Sequence, residues 1–205
     1  VMLPLARPLH AAGFHTLFID ARGHGMSDHD GYASMPRFSE DLDSAVDWTI
    51  AKEEVTGVGV VGHSIGAAAG ILAAARDEEE RIACLVSVSG FANVWDMMME
   101  STSLASMPAA AAWAIRRTME YVLETSLDEI APVLHIPQIK VPIMIMHGDQ
   151  DEVVGVHHAF RLAEAAPGAE LRIVAGGTHG DLADFEARLG PVLNFLSNTL
   201  APEVQ

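Results

Sequence analysis

Cationic side chains are scarce in this chain of 205 residues: Lys and Arg number 12 against 28 Asp and Glu, a formal net charge of -16. Such a surface repels polyanions, so neither nucleic acid nor an anionic membrane is an expected partner. Cysteine is nearly absent. The single one, Cys84, cannot build a disulfide framework, and its setting in "IACLVSVSG" reads as a small core residue rather than a reactive thiol. No signal-peptide pattern is visible, and the expected compartment is the cytoplasm. Charge is also missing from residues 55 to 75, long enough for a membrane span. Gly57, Gly59, Gly62, Gly66 and Gly70, with His63 and Ser64, divide that stretch into a strand-like left half and a helix-like right half. No stable membrane insertion is expected. Nucleotide-binding loops and cofactor motifs are absent too, so no cofactor is expected.

What is present fits one domain over residues 1–205. Apolar, β-rich runs recur at 15–20, 57–63, 82–90, 142–149 and 169–177, mostly without polar alternation. Strands lacking a polar face are covered on both sides, which predicts a doubly wound, mostly parallel α/β sheet. Helical patterns lie between the strands. Leu42, Ala45, Val46 and Ile50 follow helical spacing, with Ser39 as cap and Glu40, Asp41 and Asp43 in the first turn. Phe185, Leu189, Val192, Leu193 and Leu196 form a second stripe, which Pro191 should kink or divide. Residues 91–139 are too long for a simple crossover and read as a helical cap insertion. Its Met97, Met98, Met107 and Trp113, with Met99, Met119 and Tyr121, are candidates to line a site for an apolar ligand, or else they glue the insertion to the sheet.

The chemistry concentrates in Gly62-His63-Ser64-Ile65-Gly66, a G-x-S-x-G sequence between a buried strand and the small-residue helix "IGAAAGILAAAR". A serine on so tight a strand-to-helix turn takes a strained backbone, flanking glycines avoid collisions of a Cβ, and the hydroxyl projects above the sheet. The helix beginning at Ile65 aims its free N–H groups at the place where an oxyanion would form, which makes Ile65 the candidate donor. A hydroxyl needs a base, and the base needs an orienting group. "MHGDQDEVV" and "GGTHGDL" follow the fourth and fifth strands, giving the chain order Ser64, acid, His179. Asp149 and Asp151 both offer the carboxylate.

In these motifs the chain resembles the α/β-hydrolase fold family, nearest the lid-bearing esterases, monoacylglycerol lipases and serine-aminopeptidase-like hydrolases, over essentially its whole length. The family's "DxRGHGxS" segment reads Asp20 to Ser27 here and implies a structural loop beside the site. Its "HGxxDxxV" pattern reads His147 to Val154, so the resemblance assigns the acid to Asp151 and leaves Asp149 in reserve. It also implies that His63 packs beside the turn. His157 and His158 point about 100° apart on a helix and are expected at the surface, and "SDHDG" at 27–31 lacks a second cluster, so no metal site is expected.

The front of the chain departs from the family. The resemblance implies further strands and a His-Gly type loop, with a second oxyanion donor, before the first helix, and places one absent strand between 15–20 and 57–63. Val1 is therefore expected to follow upstream sequence; a strand from another chain and a rearranged sheet are the alternatives. The expected function is a serine hydrolase of carboxylic esters with short to medium acyl chains. A peptidase or amidase of the same fold, and a catalytically silent binding domain, remain alternatives. Expected partners are a small-molecule ester and, as a further option, a second copy in a homo-oligomer.

Overall fold

The computed structural model describes residues 2–29, 31–101, 103–180 and 189–200. Four parallel strands form one sheet in the order β1 (Val58–His63), β2 (Ile82–Val88), β3 (Ile143–Gly148) and β4 (Glu170–Val174). Around them run α1 (Ala6–Ala11), α2 (Met35–Ile50), α3 (Ile65–Arg76), α4 (Val94–Ser101), α5 (Ala109–Leu123), the single turn α6 (Pro132–His135), α7 (His157–Ala165) and α8 (Gly190–Leu200). The period-2 geometry of a strand explains the missing polar face. Leu85, Ile143 and Ile145 pack with Val46 of α2, Ile71 of α3 and Leu162 of α7, whereas Cys84, Val86, Met144 and Met146 pack with Leu9 of α1 and Val192 and Leu196 of α8. Helices thus cover both faces, and the fold is the doubly wound α/β-hydrolase arrangement. Cys84 is fully buried, and burial pushes its thiol up, away from the reactive thiolate.

Local departures from expectation have physical causes. Among the described residues, 15–20 have no ladder partner, and Leu17, Phe18 and Ile19 stand 50%, 38% and 42% exposed. Strand propensity is realised only where a neighbour supplies hydrogen bonds, and β1 pairs with β2 alone among the described residues. Helix α2 starts four residues before Ser39: Ser34 is its cap, accepting from the Arg37 N–H (3.4 Å), and Pro36 sits in the first turn, where its missing N–H costs nothing. Ser39 is instead buried, donating to the Pro36 carbonyl (2.8 Å) and accepting from Arg76 (2.7 Å). Asp41, nearly two turns into α2, accepts on Oδ1 from Arg22 Nε and Nη2 (2.9 and 2.7 Å) and on Oδ2 from the Arg22 N–H (2.9 Å); burial raises its pKa, but the bonds from Arg22 outweigh burial and hold the carboxyl below its ordinary range. The Asp20–Ser27 loop is pinned to α2 by this pair and closed on itself, with Asp20 accepting from the Met26 N–H (3.0 Å) and its carbonyl from Ser27 Oγ (2.7 Å). Pro191 does not kink α8 but lies at its start. Phe185, Asp30 of "SDHDG" and Asp181 of "GGTHGDL" lie outside the described residues.

Between β2 and β3, Glu120 near the end of α5 is buried and accepts from Arg116 (3.1 Å), Arg117 (2.6 Å) and the Leu127 N–H (3.3 Å). This network fastens α5 to the turn that follows it. Helix α4 is tied to α7 by Asp96 and Arg161 (2.7 Å). No described helix is long and apolar enough to cross a membrane.

Candidate active site

Strand β1 ends at His63, α3 begins at Ile65, and Ser64 alone makes the turn, with φ 55° and ψ -121°. That conformation is costly for a residue with a Cβ and persists because the surroundings impose it. One restraint is the Ser64 N–H, which donates to the Val88 carbonyl at the end of β2 (2.9 Å). Gly62 is the second. A Cβ there would overlap the Gly66 carbonyl and lie 2.7 Å from Ala67 Cα, so strand and helix cross this closely only with glycine. Gly66 differs from expectation, because nothing beyond its chain neighbours and its own helix backbone stands within 4 Å of where its Cβ would be. Gly62→Ala should therefore cost about 3 kcal/mol of stability through overpacking and Gly66→Ala far less, measured by urea unfolding.

His179, in the loop after β4, meets this turn. The Ser64 hydroxyl donates to His179 Nε2 (3.1 Å), and His179 Nδ1–H donates to Asp151 Oδ2 (2.9 Å). Asp151 follows β3, and its Oδ1 accepts from the N–H groups of Val153 (3.0 Å) and Val154 (2.8 Å). Burial alone would raise the Asp151 pKa, but hydrogen bonds from His147, His179 and the Val154 backbone outweigh it and hold the carboxyl far below its ordinary range. His179 is thus paired with a firmly ionised carboxylate. The backbones of the acid turn and the base loop touch: a Cβ on Gly148 would overlap the Gly177 carbonyl, which accepts from the Gln150 N–H (3.0 Å).

Asp149, the other candidate carboxylate, makes a different contact. Its Oδ1 accepts from the Gly176 N–H (2.6 Å), holding the start of the base loop. Two further histidines surround the site. His147, fully buried, donates from Nε2 to the Val154 carbonyl (2.7 Å) and stands 3.4 Å from Asp151 Oδ2, so it braces the turn that carries the acid. The role of His147 was missed in the sequence, although it opens the same "HGxxDxxV" pattern. His63 packs against His179, with ring centroids 4.9 Å apart, as its place before the serine implied. Ile65 is the first residue of α3 and half-exposed beside Ser64. As the first N–H of a helix, its own has no intrahelical partner.

The insertion candidates are not drawn together. Met97 packs with Phe91 and with Ala68, Ala69 and Leu72 of α3, Met98 is half-buried, and Met107 and Trp113 stand 39% and 65% exposed. His158 is also not at the surface. It is fully buried, stacked 4.4 Å from His157, and both rings face Glu100, with Nε2 to carboxylate distances of 3.2 Å for His157 and 3.4 Å for His158. Side chains at the first positions of a helix converge more than the 100° step suggests, because they lean toward its N-terminus. These three groups could gather round a cation. The Ala92 N–H, however, donates to His158 Nδ1 (3.2 Å), which puts the proton of the neutral ring on Nε2, so that in this tautomer neither ring nitrogen is free to act as a ligand.

A serine on a strained turn, hydrogen-bonded to a histidine that is bonded to a carboxylate, all beyond the C-terminal ends of parallel strands, defines an α/β hydrolase. Residues 1–134 match the serine aminopeptidase S33 family, and the chain belongs to that family. It is 27% identical to human protein ABHD12B over 82% of its length and 29% identical to an uncharacterized protein of Mycobacterium tuberculosis over 95%. It spans 46% and 64% of those two proteins. Among solved structures, the Pyrococcus furiosus esterase Pf2001 shares the fold with a TM-score of 0.76 at 22% identity, covering 98% of this chain and 77% of that one. A puromycin-hydrolyzing peptidase of Mycobacterium tuberculosis superposes with a TM-score of 0.63 at 18% identity, covering 81% of this chain and 26% of that one.

Proposed function

We propose that the chain carries the catalytic centre of a serine hydrolase of carboxylic esters with short to medium acyl chains. The observation that carries the reading is the unbroken sequence of hydrogen bonds from Ser64 Oγ through His179 to Asp151. Ser64 Oγ attacks the ester carbonyl carbon as its proton passes to His179 Nε2. The carbonyl oxygen becomes an oxyanion that accepts from the Ile65 N–H. Collapse breaks the bond to the alkoxy oxygen, which leaves as the alcohol with the proton from His179, and the acyl group stays on Ser64. Water then attacks the acyl carbon, giving its proton to His179, and the carboxylic acid departs as Ser64 is reprotonated. Asp151 remains ionised throughout and holds Nδ1–H, so that Nε2 is the basic nitrogen. Ester chemistry is supported by the esterase among the fold neighbours.

A second reading, a peptidase or amidase, is favoured by the serine aminopeptidase family itself. The same three groups serve both bond types. Treatment with an activated fluorophosphonate should label Ser64, and p-nitrophenyl esters of short to medium acids should turn over with higher kcat/KM than aminoacyl amides. An adduct elsewhere would remove the hydrolase reading; faster amide cleavage would transfer it to the peptidase.

A further inference from the structure

We propose that His63 is a positioning residue for the base, holding the main chain of residue 179 so that His179 Nε2 stays within reach of Ser64 Oγ. The inference rests on the reading of Ser64 and His179 as nucleophile and base, and adds a residue that neither touches substrate nor moves a proton.

Its basis is one long-range bond. His63 Nε2–H donates to the His179 carbonyl (2.8 Å) across 116 residues of chain. A carbonyl only accepts, so Nε2 carries the ring proton. Burial disfavours the charged ring and pushes the His63 pKa below its ordinary value, which leaves a neutral imidazole with this tautomer fixed. His63 is itself anchored, since it closes β1 opposite Val88 of β2. It is also peptide-bonded to Ser64. The bond therefore completes a ring of contacts that runs from Ser64 through His63 to the His179 carbonyl, along the His179 side chain, and back to Ser64 Oγ.

Such a ring matters because β4 ends at Val174 and its ladder no longer restrains the loop. The other bonds already described in this loop come from the acid side: Asp149 to the Gly176 N–H (2.6 Å) and the Gln150 N–H to the Gly177 carbonyl (3.0 Å). They set the base against its carboxylate. His63 holds it from the nucleophile side, and one strand end thereby fixes both reacting groups. Without that donor, the restraint from the nucleophile side is lost. A displacement of about 1 Å between reacting groups costs on the order of 10² in rate.

Two substitutions separate the hydrogen bond from the packing. His63→Phe keeps an aromatic ring against His179 but has no donor, and His63→Gln keeps a donor in place of Nε2 but has no ring. With a p-nitrophenyl ester, kcat of His63→Phe should fall about 10²-fold and KM change less than about threefold, while His63→Gln should recover kcat to within roughly tenfold of the unaltered protein. Rates of fluorophosphonate labelling of Ser64 should fall and recover in parallel. Thermal melting of each variant guards against misfolding, and His63→Leu replaces His63→Phe if the latter does not fold. Undiminished kcat in the apolar variant, a folded Gln variant as slow as it, or a loss confined to KM would overturn the inference and leave the hydrolase reading standing. An unaltered protein that takes no label at Ser64 would overturn both.

Discussion

Ser64→Ala is expected to lower kcat for ester hydrolysis by about 10⁴ to 10⁶-fold and to abolish fluorophosphonate labelling. The loss is large because the remaining groups act through the hydroxyl. With Oγ gone, His179 Nε2 has no proton to receive, Asp151 orients an idle base, and residual turnover comes from oxyanion stabilisation of attacking water alone. Folding should hardly change, since alanine retains the Cβ and every backbone bond of the turn. Ser64→Gly makes the complementary test. It is equally inactive, but glycine adopts φ 55° without the steric conflict, so it should be more stable than Ser64→Ala by about 1–2 kcal/mol in urea unfolding. Equal stability of the two variants would show that the turn stores no strain.

Asp151→Asn is expected to reduce kcat by about 10⁴-fold with little change in KM. The four described groups facing this carboxylate are donors: the Val153 and Val154 N–H groups on Oδ1, and His179 Nδ1–H and His147 Nε2–H on the side of Oδ2. An asparagine satisfies the backbone pair with its oxygen and turns its NH2 toward His179. The imidazole then presents a bare Nδ1 and carries its proton on Nε2, where it can no longer take one from Ser64. Asp149→Asn should retain kcat to within roughly tenfold, because an amide oxygen can still accept from the Gly176 N–H. The reverse ranking would move the acid to Asp149. The same geometry gives a pH dependence. The Asp151 pKa is depressed by folding, so its stabilising contribution is present above the unfolded value of about 3.9 and is lost as pH falls below it. Asp151→Asn should flatten that part of the acid unfolding curve.

The motifs were legible because each is a local instruction. Ser64 stands out from its two nearest glycines and the change from strand to helix around it, and Asp151 and His179 from short segments following predicted strands. Failures occurred where a residue's role depends on something distant. Leu17, Phe18 and Ile19 have strand propensity but no ladder partner. Ser39 has the composition of a cap, yet Ser34 with Pro36 starts the helix and Ser39 is used to bind Arg76. His158 follows a surface-like histidine but is buried against Ala92, 66 residues away.

By itself, then, the amino-acid order determined the layered parallel sheet, the strained turn and the serine, carboxylate and histidine segments at its strand ends, since hydrophobic period and turn chemistry act within a few residues. Only the folded chain decided that Asp151 faces His179 while Asp149 holds the Gly176 N–H, and that His63 and His147 stand beside the hydrogen bonds from Ser64 through His179 to Asp151. Those assignments depend on separations of about an ångström between side chains from different strand ends, and no local pattern encodes such distances.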